Sequence, residues 1–268
     1  MVKKILAKTY VYFILFLMYL PIFTLIVFSF TTSKNVGVWS GFSLQLYIDL
    51  FKNKTIMTAL GNTLLVGFSS AVVSTILGTL GAIGVFYSSK RNKQFTETIT
   101  QIPVVNAEIV IALSLAVMFV AIGWKNNFLT LLIGHVVLTI AFVYLSVKPK
   151  LQQMDPNMYE AALDLGCTPN KALHKVVLPE ILPGIISGFM LAFTLSLDDY
   201  IITAFTRNTS FNTLSTYVQG VIVKSSIPAE LRALTTIVFL LAILILVINN
   251  RNTKRESKMR VRSKKGNL

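Results

Sequence analysis

Long apolar runs recur along this chain, and they leave it little choice of fold. The run from Tyr10 to Phe30 holds no charged residue. A bilayer's hydrocarbon core, about 30 Å thick, takes roughly 20 residues of helix. Inside it every backbone N–H and C=O must be satisfied within the chain, so such runs read as helices. Further runs at about 60–87, 101–122, 128–147, 182–205 and 233–248 predict six spans. The expected fold class is an all-α polytopic membrane protein. Composition agrees: 54% of residues are hydrophobic and 13% charged, where a soluble domain has about a quarter charged.

The formal net charge is +14, which in a soluble protein would suggest nucleic acid. Here the cations sit between the apolar runs, with no zinc-ligand pattern or Gly-rich basic module, and lipid contact explains them better. Lys3, Lys4, Lys8, Lys90, Arg91, Lys93, Lys148, Lys150, Lys171, Lys175 and the basic tail 250–268 fall on one side. Lys34, Lys52, Lys54, Lys125, Arg207, Lys224 and Arg232 fall on the other. The positive-inside rule then places both termini in the cytoplasm, in a multi-pass protein of the cell (inner) membrane. The N-terminal lysines imitate a secretory signal, but the run behind them is too long and lacks a small-residue cleavage site, so it reads as a retained anchor. Cys167 is the sole cysteine, excludes a disulfide within the chain, and reads as a small packing residue.

Residues 1–268 are expected to form a single transmembrane domain with two long connections. The outer loop, about 31–59, carries Trp39, Phe42, Leu46, Tyr47, Ile48 and Leu50, which predict a short interfacial helix. The inner loop, about 148–181, is too polar to span and too patterned for disorder. Asp155 and Pro156 read as a helix cap and first helical residue. Met158, Ala161, Ala162 and Leu165 follow at helical spacing, and Gly166 ends the helix. Thr168 and Pro169 repeat the start signal; Pro179 and Pro183 mark the end of the second helix and the start of span five. The expectation is a cytoplasmic helix–turn–helix that transmits force as a rigid body, against the plainer reading of a surface helix packed on its own bundle.

The residues of this loop add more than periodicity. Glu160, Ala161 and Ala162, then Gly166, then Val176, Leu178 and Pro179 resemble the EAA motif of ABC-importer permeases, with matching spacing; Val176 stands where that family usually has Ile. The segments NAEIVIALSL at 106–115 and FTLSLDDYIITAF at 193–205 resemble the permeases of spermidine/putrescine importers, with Glu108 where a shorter Asp is expected. The resemblance covers most of the chain. It implies a MetI-like, type I importer fold in which the motif docks on a cytoplasmic ATPase. Glu160 would cap or pair with a basic group, the alanines would permit close approach, Gly166 would turn the chain, and Leu178 and Pro179 would set the second helix against span five. It also implies the partners: a second, PotB-like permease, two PotA-like ATPase subunits and a PotD-like external binding protein. ATP and magnesium would be used by the ATPase, with no cofactor on this chain.

Charge inside the spans is sparse. A charged group at mid-bilayer costs about 2.5–3.5 kcal/mol on insertion scales, and it persists where it meets a cavity or a partner. Glu108 falls in span three; Asp198 and Asp199 fall in span five. Neighbouring residues point about 100° apart on a helix, so one aspartate would face the path and the other would cap or pair. A polyamine path needs spaced acids between apolar or aromatic walls, for which Tyr200, Phe193 and Phe205 are available. The alternative is that these acids join two permeases or line a gate without selecting. Ser70, Ser74, Gly78 and Ala82, and Gly184, Gly188 and Ala192, form small-residue stripes for close helix packing. His135 reads as a hydrogen-bonded packing residue without an evident partner, and His174 as solvated.

No P-loop, H-E-x-x-H or nucleophile elbow is present, so ATP hydrolysis falls to another chain and this one is not an enzyme. The rival functions are a type I importer for thiamine, ferric ion or phosphonate, an ion-driven transporter, and a membrane enzyme. An ion-driven transporter leaves the inner-loop motif unexplained, and a membrane enzyme would need paired catalytic groups at one depth.

Overall fold

A computed structural model describes all residues except 1, 34, 36, 156, 225–227, 241–242 and 244–268. It is all-helical apart from one isolated β-bridge, Thr31 to Phe42, among those residues. The described chain divides into two compact units, residues 1–57 with 221–268, and residues 58–220.

In the first unit, α1 (Val2–Ser29) is apolar on every face and exposed along most of its length. The expected interfacial helix is α2 (Gln45–Lys52), with Leu46 and Leu50 buried. The turn before it is closed by Phe30, whose ring stacks on Phe42 at 5.6 Å and meets Tyr47 at 5.3 Å. Ser29 Oγ and Tyr47 Oη share a hydrogen bond of 2.7 Å. Residues 230–240 form a further helix; the rest of the predicted sixth span, and the basic tail, lie outside the described residues.

The second unit is built on α6 (Phe128–Gln153), started by a capping box in which the Asn127 side chain accepts from the amides of Leu129 and Thr130. Both α3 (Lys54–Phe86) and α9 (Leu178–Asp198) pack on α6, and they touch one another, as where Phe68 meets Phe189. The small-residue stripes are what let them approach. A Cβ on Gly78 would stand 2.8 Å from Val143 Cβ, and one on Gly188 would stand 3.2 Å from Val143 Cα. Val143 is thus held between two glycines from two helices. Hydroxyls join the same surfaces: Ser74 to Thr139 at 2.7 Å, and Ser70 to Ser196 at 2.9 Å.

Four helices among the described residues are long and apolar enough to cross a membrane, or five if one bent pair is a single span. That pair corrects the third predicted span. In place of one helix over 101–122, α4 (Lys90–Val105) meets α5 (Glu108–Ala121) at 104°. The break falls at Asn106 and Ala107, both extended. The apolar period continues across it, which is why hydropathy joined the two. The fifth predicted span is also broken: α9 stops at Asp198, and a separate helix, α10 (Ile201–Thr206), follows. A last helix, α11, covers Leu214–Lys224.

The inner loop holds α7 (Asn157–Asp164) and α8 (Pro169–Ala172). Asp155 caps α7, its carboxylate accepting from Asn157 N at 2.9 Å; Pro156 lies outside the described residues. Pro179 does not end the second helix, as the sequence suggested. A π turn, Leu173–Val177, carries α8 directly into α9. A proline inside a helix lacks one N–H and crowds the preceding turn, and the wider i→i+5 turn relieves that crowding. Pro183 likewise sits inside α9.

Candidate functional site: carboxylates at two helix breaks

The two breaks bring the membrane carboxylates together. Glu108 lies in the first turn of α5. Asp198 ends α9, and Asp199, extended, and Tyr200, with helical dihedrals, link it to α10. α5 and α10 pack side by side through a cluster of Ile111, Ala112, Leu115, Phe119 and Ile202. Glu108 lies within electrostatic reach of both aspartates.

Burial separates the acids into two kinds. Glu108 and Asp198 are exposed, as is Tyr200. Asp199 is 5% exposed. Its Oδ1 accepts from Ile202 N at 3.1 Å, and its Oδ2 accepts from Thr203 N at 2.9 Å and Thr203 Oγ1 at 2.8 Å. The otherwise orphan donors of the first turn of α10 are thereby satisfied. A buried carboxylate is tolerated when its lone pairs are filled in this way. Of the aromatic residues considered as walls, Phe193 stacks on Phe189 at 6.3 Å and Phe205 packs against α5; Tyr200 alone is exposed.

His135, 1% exposed, is the residue whose surroundings the sequence missed. Its Nδ1 lies 2.6 Å from Ser196 Oγ, its Nε2 2.9 Å from Thr203 Oγ1 and 3.5 Å from Asp199 Oδ2. The available signal was the spacing Ser196, Asp199, Thr203, a polar stripe at three and four residues opposite a lone histidine.

The inner-loop residues are also distributed unequally. Ala162 is buried against the bundle, whereas Ala161 and Glu160 are exposed, so one alanine admits the chain's own core and the other faces outward. Among the described residues Glu160 has no ion pair. Gly166 has φ +83°, a left-handed conformation that costs other residues about 1–2 kcal/mol. Its N–H reaches Leu163 O at 2.9 Å, and Cys167 N–H reaches Ala162 O at 3.0 Å. At that turn Leu165 is 86% exposed. Val176 is half-buried, and Leu178 and Pro179 open α9 itself. Tyr159 of α7 contacts Tyr87, beside the end of α3, at 5.2 Å between rings.

Long apolar helices, two broken spans with acids at the breaks, and a short helix pair between spans define a polytopic membrane permease. The sequence matches the family described as binding-protein-dependent transport system inner membrane component over residues 74–252, and the chain belongs to that family. Among curated relatives it is 31% identical to the spermidine/putrescine transport system permease protein PotC of Haemophilus influenzae, covering 96% of this chain and 100% of that one. It is 36% identical to the putrescine transport system permease protein PotI of Escherichia coli K12, covering 82% of this chain and 81% of that one. Among solved structures it resembles a bacterial ABC transporter that imports alginate, with TM-score 0.72, 15% identity and coverage of 94% and 96%. It also resembles the MetNI methionine ABC transporter, with TM-score 0.50, 18% identity and coverage of 73% and 93%. The chain is thus a multi-pass inner-membrane permease subunit with the type I ABC importer fold. It is the transport component of its system and not the catalyst. Such a subunit works with a second permease, an ATPase and a binding protein.

Proposed function

We propose that this permease forms half of the translocation path for a polyamine, spermidine or putrescine, in a six-span arrangement with both termini cytoplasmic. The observation that carries the reading is the open acidic face at the two helix breaks, where exposed Glu108 and Asp198 lie within electrostatic reach of one another and exposed Tyr200 follows at the second break. A polyamine is a row of ammonium groups on methylene spacers. It matches separated carboxylates, while the phenol offers its ring to a cation. An anion such as a phosphonate would meet repulsion there. The kinship with PotC and PotI supports the same substrate class.

The helix pair at 157–177 and the start of α9 serve as the coupling element, with Glu160, Ala161, Ala162, Gly166, Val176, Leu178 and Pro179 belonging to it. Exposed Leu165, Ala161 and Glu160 form the surface that meets a PotA-like ATPase. That ATPase uses ATP and magnesium, and this chain holds no cofactor. A PotB-like permease completes the path, and a PotD-like protein delivers substrate.

The reading is tested with Glu108→Gln and Asp198→Asn, which remove charge at nearly constant volume. Labelled spermidine uptake falls in each while the complex still assembles. Full uptake in both variants refutes the assignment of these acids to the path.

A further inference from the structure

His135 belongs to no feature of the coupling loop or of the open acidic face, yet it joins three helices. It rises from α6 and meets Ser196 of α9 and Thr203 of α10 with its two ring nitrogens. Ser196 in turn is bonded by Ser70 of α3 at 2.9 Å. Thr203 donates to Asp199 Oδ2, and Ser215 of α11 donates to the Asp199 carbonyl at 2.7 Å.

One placement of hydrogens satisfies the contacts that link these side chains. Ser70 donates to Ser196, and Ser196 donates to His135 Nδ1. His135 Nε2–H donates to Thr203 Oγ1, and Thr203 donates to Asp199 Oδ2. Ser196 and Thr203 then each give one bond and accept another, and the histidine is the neutral tautomer that both contacts require. The arrangement leaves both Asp199 oxygens on the first turn of α10. That cap fixes where α9 stops, and so where Asp198 and Tyr200 emerge.

We propose that His135 is a positioning residue for the translocation path. Through Thr203 and Ser196 it holds the Asp199 cap, and thereby the break that presents Asp198 beside Glu108. Its effect on transport rests on the path reading above; its hold on the cap does not. A plain packing histidine would need only shape. This one needs an acceptor toward Ser196 and a donor toward Thr203, which a glutamine amide also supplies and a leucine does not.

The test uses the assembled transporter and compares His135→Leu, His135→Gln and Thr203→Val. Hydrogen–deuterium exchange is followed in the peptide containing the Ile202 and Thr203 amides, alongside spermidine uptake. In His135→Leu, and in Thr203→Val should the leucine variant not assemble, exchange there is expected to quicken about tenfold or more, as a buried partner is left unpaired. Uptake falls with it. His135→Gln retains most of both. Unchanged exchange in His135→Leu and Thr203→Val, or a glutamine variant as impaired as the leucine one, overturns the proposal. Quickened exchange with full uptake upholds the clamp and instead refutes the path reading.

Discussion

Gly78 and Gly84 lie on the same helix, and replacing each with alanine separates packing from helix propensity. Alanine is favoured over glycine in a helix by about 0.8–1.0 kcal/mol, and that gain is common to both sites. At Gly84 a Cβ meets nothing within 4 Å, so Gly84→Ala is neutral or slightly stabilising. At Gly78 the same atom would stand 2.8 Å from both Val143 Cβ and Cγ1, and 3.1 Å from the Ile140 carbonyl oxygen. Val143 has little room to give, because α9 also lies close to it at Gly188, where an added Cβ would stand 3.2 Å from its Cα and Cγ1. The helices must part, and overpacking of this kind costs about 1–3 kcal/mol. Gly78→Ala is therefore expected to be less stable than Gly84→Ala by about that amount. The assay is thermal unfolding of the detergent-purified complex, followed by fluorescence-detected size exclusion, with the two variants compared directly. A Gly78→Ala complex melting at or above Gly84→Ala would refute the claim that α3 and α6 meet through glycine.

Other expectations follow from particular residues. Gly166→Glu combines left-handed backbone strain of about 1–2 kcal/mol with a bulky charge on the outward face of the turn; it should insert normally but abolish uptake, read by membrane-fraction blotting beside transport. Leu165→Ser should leave the fold intact, since the side chain is 86% exposed, yet reduce co-purification of the ATPase; undiminished co-purification would remove Leu165 from the docking surface. Asn127→Ala loses the capping box of α6 and should lower stability by about 0.5–2 kcal/mol, measured by the same melting assay. Glu97→Gln, which removes the charge from the mostly buried pair with Lys148 at 2.9 Å, should lower it by about 1–3 kcal/mol.

The long helices were legible because hydropathy acts over many residues at once: α3 and α6 fall where the apolar runs predicted. The short helices α2 and α7 were legible from local signals, respectively an apolar cluster and an Asp155 cap. The left-handed Gly166 followed from its place just after a helical period. What the sequence concealed were the breaks. Asn106 and Glu108 mark the break between α4 and α5 only as a short dip in the apolar run, and Asp199 looks like a mid-span charge until its oxygens are seen on the amides of Ile202 and Thr203. His135 was hidden for a related reason. Its partners lie 61 and 68 residues away, and only packing brings them together. Pro179 misled because the π turn just before it carries the chain straight on into α9.

The central claim is that this permease passes polyamines under ATP drive, and one measurement bears on it most directly. Uptake of labelled spermidine would be followed in cells with the gene intact or deleted and no second polyamine system, with putrescine, thiamine and an amino acid as unlabelled competitors. The account predicts energy-dependent uptake that disappears on deletion and is competed by putrescine alone. Unchanged spermidine uptake on deletion would contradict it, leaving a type I importer permease whose acidic face serves another solute.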